Sequence, residues 1–466
     1  MRCNRILIAA AAAALIIVLP VPATASAMLF GVETNGELIN SDRTRADQAS
    51  ALTKIDKLGA GAVRVNIGWN DVATDACRTQ SLAALRNPNN SCYNWSVVDG
   101  LSEQAAERKL RVIASVSRAP RWLHGSSDPY YLGRSGRQWR HTLVHFEAFM
   151  QAIALRYKPG NGHGEIRWWT IWNEPNSKTF WKPMDTASLR RAAPKRYAQM
   201  YGRALVAIKK SQARATVALG PTGPKSTIKP LTYVSQVQRA LPAFLPGRTL
   251  AAKRRQIGAW AHNPYAGPFN SPRRGIFKQR GAVGMGNLKD LTRQLDRAAI
   301  TRGVKIWATE FGWQTNPPDE YLGIRASLQA RYMGEAFDLL RSNSRVRVAI
   351  WYGLTDPTDL DDWQSGVYYA SGRPKRSLIM WRRPISVPIG ATRRGRTVRV
   401  WSRSNVRPSS TRIVYSTNGR TWRTLPRTRR IAGGGRVAYP RLTRSTWFAT
   451  TDSSGVRGPS RKVLVR

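Results

Sequence analysis

The sequence predicts a (β/α)8 barrel, the TIM-barrel class, followed by a small C-terminal antiparallel β-sandwich. Three observations carry that prediction. Short β-rich runs alternate with helical patterns over the first three-quarters of the chain. Two of those runs, "WWTIWNE" and "VKIWATE", are apolar and aromatic yet end on a lone glutamate. Beyond about residue 385 the helical pattern stops and short alternating runs replace it.

The β-rich runs lie near Leu29–Glu33, Ala62–Ile67, Arg111–Val116, Ile166–Trp172, Thr216–Leu219, Ile257–Ala261, Val304–Thr309 and Arg347–Trp351. Between them, segments such as "ADQASALTKIDKLG", "VDGLSEQAAERKL", "FEAFMQAIALRY" and "YAQMYGRALVAIKKSQ" repeat apolar residues at three and four positions, as amphipathic helices do. Gly59 is a helix stop signal. Segment 221–256 is punctuated by Pro, Gly and Lys, with a helix expected around "YVSQVQRAL". Strands alternating with helices imply a parallel sheet, and eight of them imply closure. Past "GRPKRSLIMWRRP" come "RTVRVWSRS", "TRIVYSTNGRTWRTL", "GRVAYPRL", "STWFATTD" and "SRKVLVR", with a turn at Asn418-Gly419. The expected organisation is residues 1–27 as a signal peptide, 28–381 as the barrel and 382–466 as the β-sandwich.

The signal peptide is read from Arg2 and Arg5, the apolar run Ile6 to Leu19, and the small-residue end Ala25-Ser26-Ala27. The run is too short for an ordinary membrane span, and no second one follows. The expected mature chain is therefore exported, with no transmembrane segment, and monomeric by default. Its 42% hydrophobic content is ample for a core. Cys3 leaves with the signal; Cys77 and Cys92 remain, and in an oxidising compartment they are expected to pair. Neither these cysteines nor the five histidines have a zinc or iron spacing. "DPTDLDDW" lacks the regular ligand spacing of a calcium loop and reads as a solvated loop. No metal or organic cofactor is expected.

The formal charge is +48, or +46 without Arg2 and Arg5. From Arg382 onward 21 Lys and Arg face a single acid, Asp452. Such a field attracts anionic polymers or surfaces at low salt and says nothing about reaction type. No zinc finger, helix-turn-helix or Gly-rich RNA motif accompanies it, so specific nucleic-acid recognition is not expected. The C-terminal domain is expected to be packing support for the barrel or a carbohydrate-binding accessory, and anionic glycans or the cell envelope are the partners its basic surface would hold.

In a parallel barrel the C-terminal ends of the strands converge on one face. Glu174 ends the fourth strand and Glu310 the seventh, so both would point into one bowl. Paired carboxylates suit cleavage of a glycosidic bond: one protonates the leaving oxygen, the other attacks the anomeric carbon. At this point the residues resemble a known group. "IWNEPN" and "ATEFGW" resemble the acid/base and nucleophile signatures of clan A glycoside hydrolases, retaining barrel enzymes, with families 39 and 5 the nearest. "GAVRVNIGWNDV", "YNWSVVDGLSEQAAERKLRVIASVSRAPRWL", "AHNPY" and "GVYYASGRPKRS" follow in the expected order, so the likeness runs from about Leu29 to Leu378.

The resemblance implies roles by position. Glu174 is the expected acid/base and Glu310 the nucleophile. Asn173 resembles the asparagine that bonds the sugar 2-hydroxyl, and Arg64 the arginine that keeps the nucleophile ionised. His262 and Tyr265 resemble the strand-six pair, although Asn263 separates His262 from Pro264 where the pattern often runs on directly. Trp351 resembles the aromatic platform under the sugar, and Trp122, Trp69 and Trp313 are further stacking candidates. The implied substrate is a polysaccharide or oligosaccharide with β-linkages. Long loops after strands two, three and six point to an open cleft and endo action. Two rival readings stay open: a non-catalytic glycan-binding barrel, and transglycosylation in place of hydrolysis.

Overall fold

The computed structural model describes residues 28–34, 36–406, 410–431 and 435–466. The segment read as a signal peptide lies outside the described residues. All eight predicted strands form: β1 (Leu29–Glu33), β2 (Ala62–Gly68), β3 (Arg111–Ser117), β4 (Trp168–Ile171), β5 (Thr216–Thr222), β6 (Ala259–His262), β7 (Ile306–Phe311) and β8 (Val346–Tyr352). They pair in parallel and close, with β8 hydrogen-bonded to both β7 and β1. The ambiguous segment contains the expected helix, Pro230–Ala240, and a shorter one, Leu250–Gln256.

Local chemistry sets the helix ends. The first barrel helix, α1 (Arg45–Leu58), starts at a capping box in which Thr44 accepts from the Asp47 N–H and Asp47 accepts from the Thr44 N–H. It stops at Gly59, whose φ of 69° is left-handed and costs glycine little. Ser135 and Gln138 cap the helix Gly136–Arg156 in the same way.

The core has two layers. Inside the barrel, small residues such as Ala62, Ala218, Ala259 and Ala261 make room for Ile113, Val348, Ile350 and Trp307, which stacks on Trp168 with ring centroids 5.1 Å apart. A larger layer lies between strands and helices. The disulfide Cys77–Cys92 forms as expected, closing a loop on the strand-two side; for a separation of 15 residues it contributes about 3 kcal/mol.

The C-terminal strands are β9 (Ile385–Ser386), β10 (Ala391–Thr392), β11 (Arg396–Thr397), β12 (Val400–Ser402), β13 (Arg412–Ser416), β14 (Arg423–Thr424), β15 (Arg429–Ile431), β16 (Gly435–Ala438), β17 (Arg441–Leu442), β18 (Thr446–Thr451) and β19 (Arg461–Val465). Sheet β9-β12-β16-β15 faces sheet β10-β19-β18-β13-β14 across a core that includes Ile413, Phe448 and Val463. One pairing departs from the antiparallel expectation: β10 runs parallel to β19. Residue alternation marks a strand but not its direction, so this could not be read from sequence. The sandwich is tied to the barrel by Arg399, which donates to Asp338 at 2.8 Å, and by the Asn405 amide, which donates to the Trp381 carbonyl at 2.5 Å.

Candidate active site

Strand register builds the site. Glu33 at the end of β1 lies opposite Arg64 of β2 on one side and Tyr352 of β8 on the other. Glu310 projects from the end of β7, and Glu174 from the turn after β4. That turn is strained: Trp172 and Glu174 both have left-handed backbones, with φ of 69° and 37°. Each such residue costs on the order of 1–3 kcal/mol and persists only where its surroundings hold it. Here Asn176, fully buried, does the holding. Its amide donates to the carbonyls of Gly223 (3.1 Å) and Ile228 (3.0 Å), and its oxygen accepts from the Gly223 N–H (2.9 Å).

Arg64 is the hub. Its Nη1 donates to Glu310 Oε1 at 2.6 Å and to Glu33 Oε2 at 3.2 Å, and its Nη2 to Asn66 Oδ1 (3.1 Å) and Asn173 Oδ1 (3.2 Å). The Tyr265 hydroxyl donates to the other Glu310 oxygen at 3.2 Å. Glu174 Oε1 accepts from the Asn263 amide at 2.8 Å, and the Asn263 oxygen accepts from Thr309 at 2.8 Å.

The electrostatics divides the acids. Burial works against the Arg64 charge, but Glu310 and Glu33 outweigh it and hold the guanidinium protonated. One guanidinium cannot neutralise two buried carboxylates, so one of them keeps a proton. Burial, with Glu310 adding, pushes Glu33 up to about 8, against the pull of Arg64. Glu174 is pushed up to about 7, first by burial and then by the Glu310 charge; Asn263, Arg64 and Ser226 oppose the rise. Burial and Glu310 also hold the Tyr265 phenol protonated, so it remains a donor.

A cavity of ≈ 290 Å³ opens over these groups, lined by Glu33, Asn66, Asn173, Glu310, Tyr352 and Trp363, with Arg118, Tyr130, Phe180 and Asp362 around them. The structure thus brings together Glu174, Glu310, Asn173, Arg64 and Tyr265 of the residues singled out from sequence. The others lie elsewhere. His262 is fully buried, with Nδ1 on the Thr222 hydroxyl at 2.8 Å and Nε2 on the Val283 carbonyl at 3.1 Å. Burial lowers it to about 4, so it is a neutral structural ring. The residue after it, Asn263, reaches Glu174 in its place.

Trp351 needs correction as a sugar platform. It is fully buried, donates its indole N–H to the Ser365 carbonyl at 2.9 Å, and packs against Phe311 and Trp313. Trp69 and Trp313 are also core: the first stacks on Phe149, the second donates to the Asn270 carbonyl at 2.9 Å. Trp122 borders a separate depression with Arg121 and His124. The tryptophan that does line the cavity is Trp363, 42% exposed, with its ring 5.1 Å from Tyr265 and 6.0 Å from Tyr352.

Sequence reasoning missed Glu33, Asn66, Asn263 and Trp363. Glu33 carried the same signal as the other two acids, since "LFGVE" is an apolar strand ending on glutamate. Asn66 sits two residues beyond Arg64 and so on the same strand face. Trp363 ends the aspartate-rich loop, where only the fold reveals that it turns inward.

The barrel has known counterparts. The family profile described as Cellulase (glycosyl hydrolase family 5) matches residues 22–352, more than two thirds of the chain. Three solved structures share the fold at low identity. A family 39 glycoside hydrolase from Bacteroides cellulosilyticus WH2 has a TM-score of 0.55 and 14% identity, over 91% of this chain and 81% of that one. A glucosidase from Croceicoccus marinus has a TM-score of 0.56 and 11% identity, over 92% and 95%. The GH39 enzyme from Xanthomonas axonopodis pv. citri has a TM-score of 0.50 and 16% identity, over 84% and 80%. No curated protein matches significantly. A profile spanning all eight barrel strands, on the fold its relatives share, makes this chain a member of the cellulase family, glycosyl hydrolase family 5, within clan A of the glycoside hydrolases.

Proposed function

We propose that the protein is an exported, retaining glycosidase that hydrolyses β-linkages in a polysaccharide or oligosaccharide, with Glu310 as nucleophile and Glu174 as acid/base. The observation that carries this is the unequal treatment of the two carboxylates. Glu310 is gripped by a guanidinium and a phenol, each donating to one of its carboxylate oxygens. Glu174, pushed up to about 7, holds a proton near neutral pH.

In the first step a Glu310 oxygen bonds to the anomeric carbon as the bond to the leaving oxygen breaks, and that oxygen takes the Glu174 proton. In the second, ionised Glu174 takes a proton from water, whose oxygen displaces Glu310 from the anomeric carbon. Asn173, placed by Arg64, is set to bond a sugar hydroxyl, and Trp363 with Tyr352 supplies the stacking surface. The basic C-terminal domain holds the enzyme on anionic glycans or the cell envelope.

The test is reducing-end release from a broad polysaccharide panel by the chain from Met28, beside Glu310→Ala at matched folding by circular dichroism. Release that falls by about 10³-fold or more in the variant is expected. Release that persists removes Glu310 as the nucleophile. Binding of a glycan with no cleavage by either protein would favour the non-catalytic barrel.

A further inference from the structure

The C-terminal sheet has one face in the core and one face in solvent, and alternation assigns the residues. On β18, the partly exposed Trp447 and Thr451 point away from the buried Phe448 and Thr450, with Ala449, itself buried, between them. Across the ladder, Lys462 of β19 lies opposite Trp447, and Arg412 of β13 opposite Thr451. Arg457 also pairs with Thr451, and its guanidinium sits 4.4 Å from the ring centre of Trp422, just before β14. The Lys462 ammonium sits 4.1 Å from the ring centre of Trp447. Two indoles and three cations therefore share the outward face.

No acid dilutes it. From Arg382 onward the chain's single acid is Asp452. That carboxylate is buried, 4% exposed, and accepts from Arg383 Nε at 2.7 Å. Electrostatics alone attracts any polyanion. The two half-buried indoles add what charge cannot: apolar ring area for the C–H groups of a pyranose, with a cation over one face of each ring to meet its anionic substituent.

We propose that this outward face is a second glycan site, taking an acidic polysaccharide by stacking sugar rings on Trp422 and Trp447 and pairing their carboxylates or sulfates with Arg412, Arg457 and Lys462. It locates the tethering part of the proposed function and rests on that glycan reading. The barrel then works on a substrate, or at a surface, that the sandwich has already captured.

The experiment is binding of the chain from Met28 to polygalacturonate in about 0.15 M salt, with methyl-esterified polygalacturonate and duplex DNA alongside. Three double variants separate stacking from charge: Trp422→Ala/Trp447→Ala, Arg457→Gln/Lys462→Gln, and Arg429→Gln/Arg430→Gln on exposed β15 of the other sheet. Each of the first two should weaken polygalacturonate binding about tenfold, and the third no more than about twofold. Trp422→Phe/Trp447→Phe keeps the rings and should keep the binding, which separates a lost surface from a lost fold. Equal losses in the second and third variants, an unaltered tryptophan variant, or equal affinity for the esterified polymer would overturn the proposal. So would tryptophan dependence seen with DNA alone. Binding is read without turnover. A protein that binds and cleaves nothing fails only the barrel reading; one that cleaves and shows no tryptophan-dependent binding fails only this one.

Discussion

Glu174 is the residue whose protonation the chemistry turns on, and the groups around it set when it can act. It must carry a proton to begin the reaction, and with its carboxyl pushed up to about 7 that form is lost as pH rises through neutrality. The Asn263 amide donates to Oε1 and so favours the ionised form, pulling the value down. Removing it in Asn263→Ala should move the alkaline limb of the kcat/KM profile to higher pH. A limb that stays in place or moves to lower pH would show that another group controls that limb. Much of this constellation could be read in advance. Glu174, Glu310 and Arg64 each break the apolar pattern of a buried strand, and an isolated charge there needs a reason. Trp351 misled for the opposite reason. A tryptophan ending a strand looks the same in sequence whether it faces sugar or the Ser365 carbonyl, and only packing decides between them.

At the level of elements, the turn after β4 and the loop after β5 work as one unit. Asn176 ties them together, and the Glu174 carboxyl lies directly over the Cα of Gly223. A Cβ placed on Gly223 would stand 2.3 Å from Glu174 Oε2 and 2.3 Å from Ser226 Oγ. Gly223→Ala should therefore displace the acid while barely disturbing the fold: kcat/KM falling about 10²-fold with a thermal midpoint close to wild type. Retained activity would mean that the carboxyl has freedom the packing does not show. The strands were legible because apolar runs with helical segments between them leave few alternatives. The loops were not, because nothing local says that Asn176 reaches Gly223 or that Trp363 turns back over the cavity.

Across the whole molecule, a closed barrel brings two acids separated by more than a hundred residues close enough that the charge of Glu310 raises Glu174, while a separate sandwich carries much of the positive charge. The barrel was predictable from strand count and order. That the helix before strand eight and the helix that ends the barrel would dock on the sandwich, through Asp338 with Arg399 and through the Trp381 carbonyl with Asn405, was not, since such contacts depend on surfaces that exist only after each part folds. The assignment of two different jobs to Glu174 and Glu310 has a direct test. Each is replaced by alanine and assayed with azide on an activated aryl glycoside of a sugar the wild type cleaves, and the anomeric configuration of the product is read by NMR. With Glu310 as nucleophile and Glu174 as acid/base, Glu310→Ala yields the α-glycosyl azide and Glu174→Ala the β-glycosyl azide. The reverse pattern, the same anomer from both, or rescue of neither would contradict that division of labour.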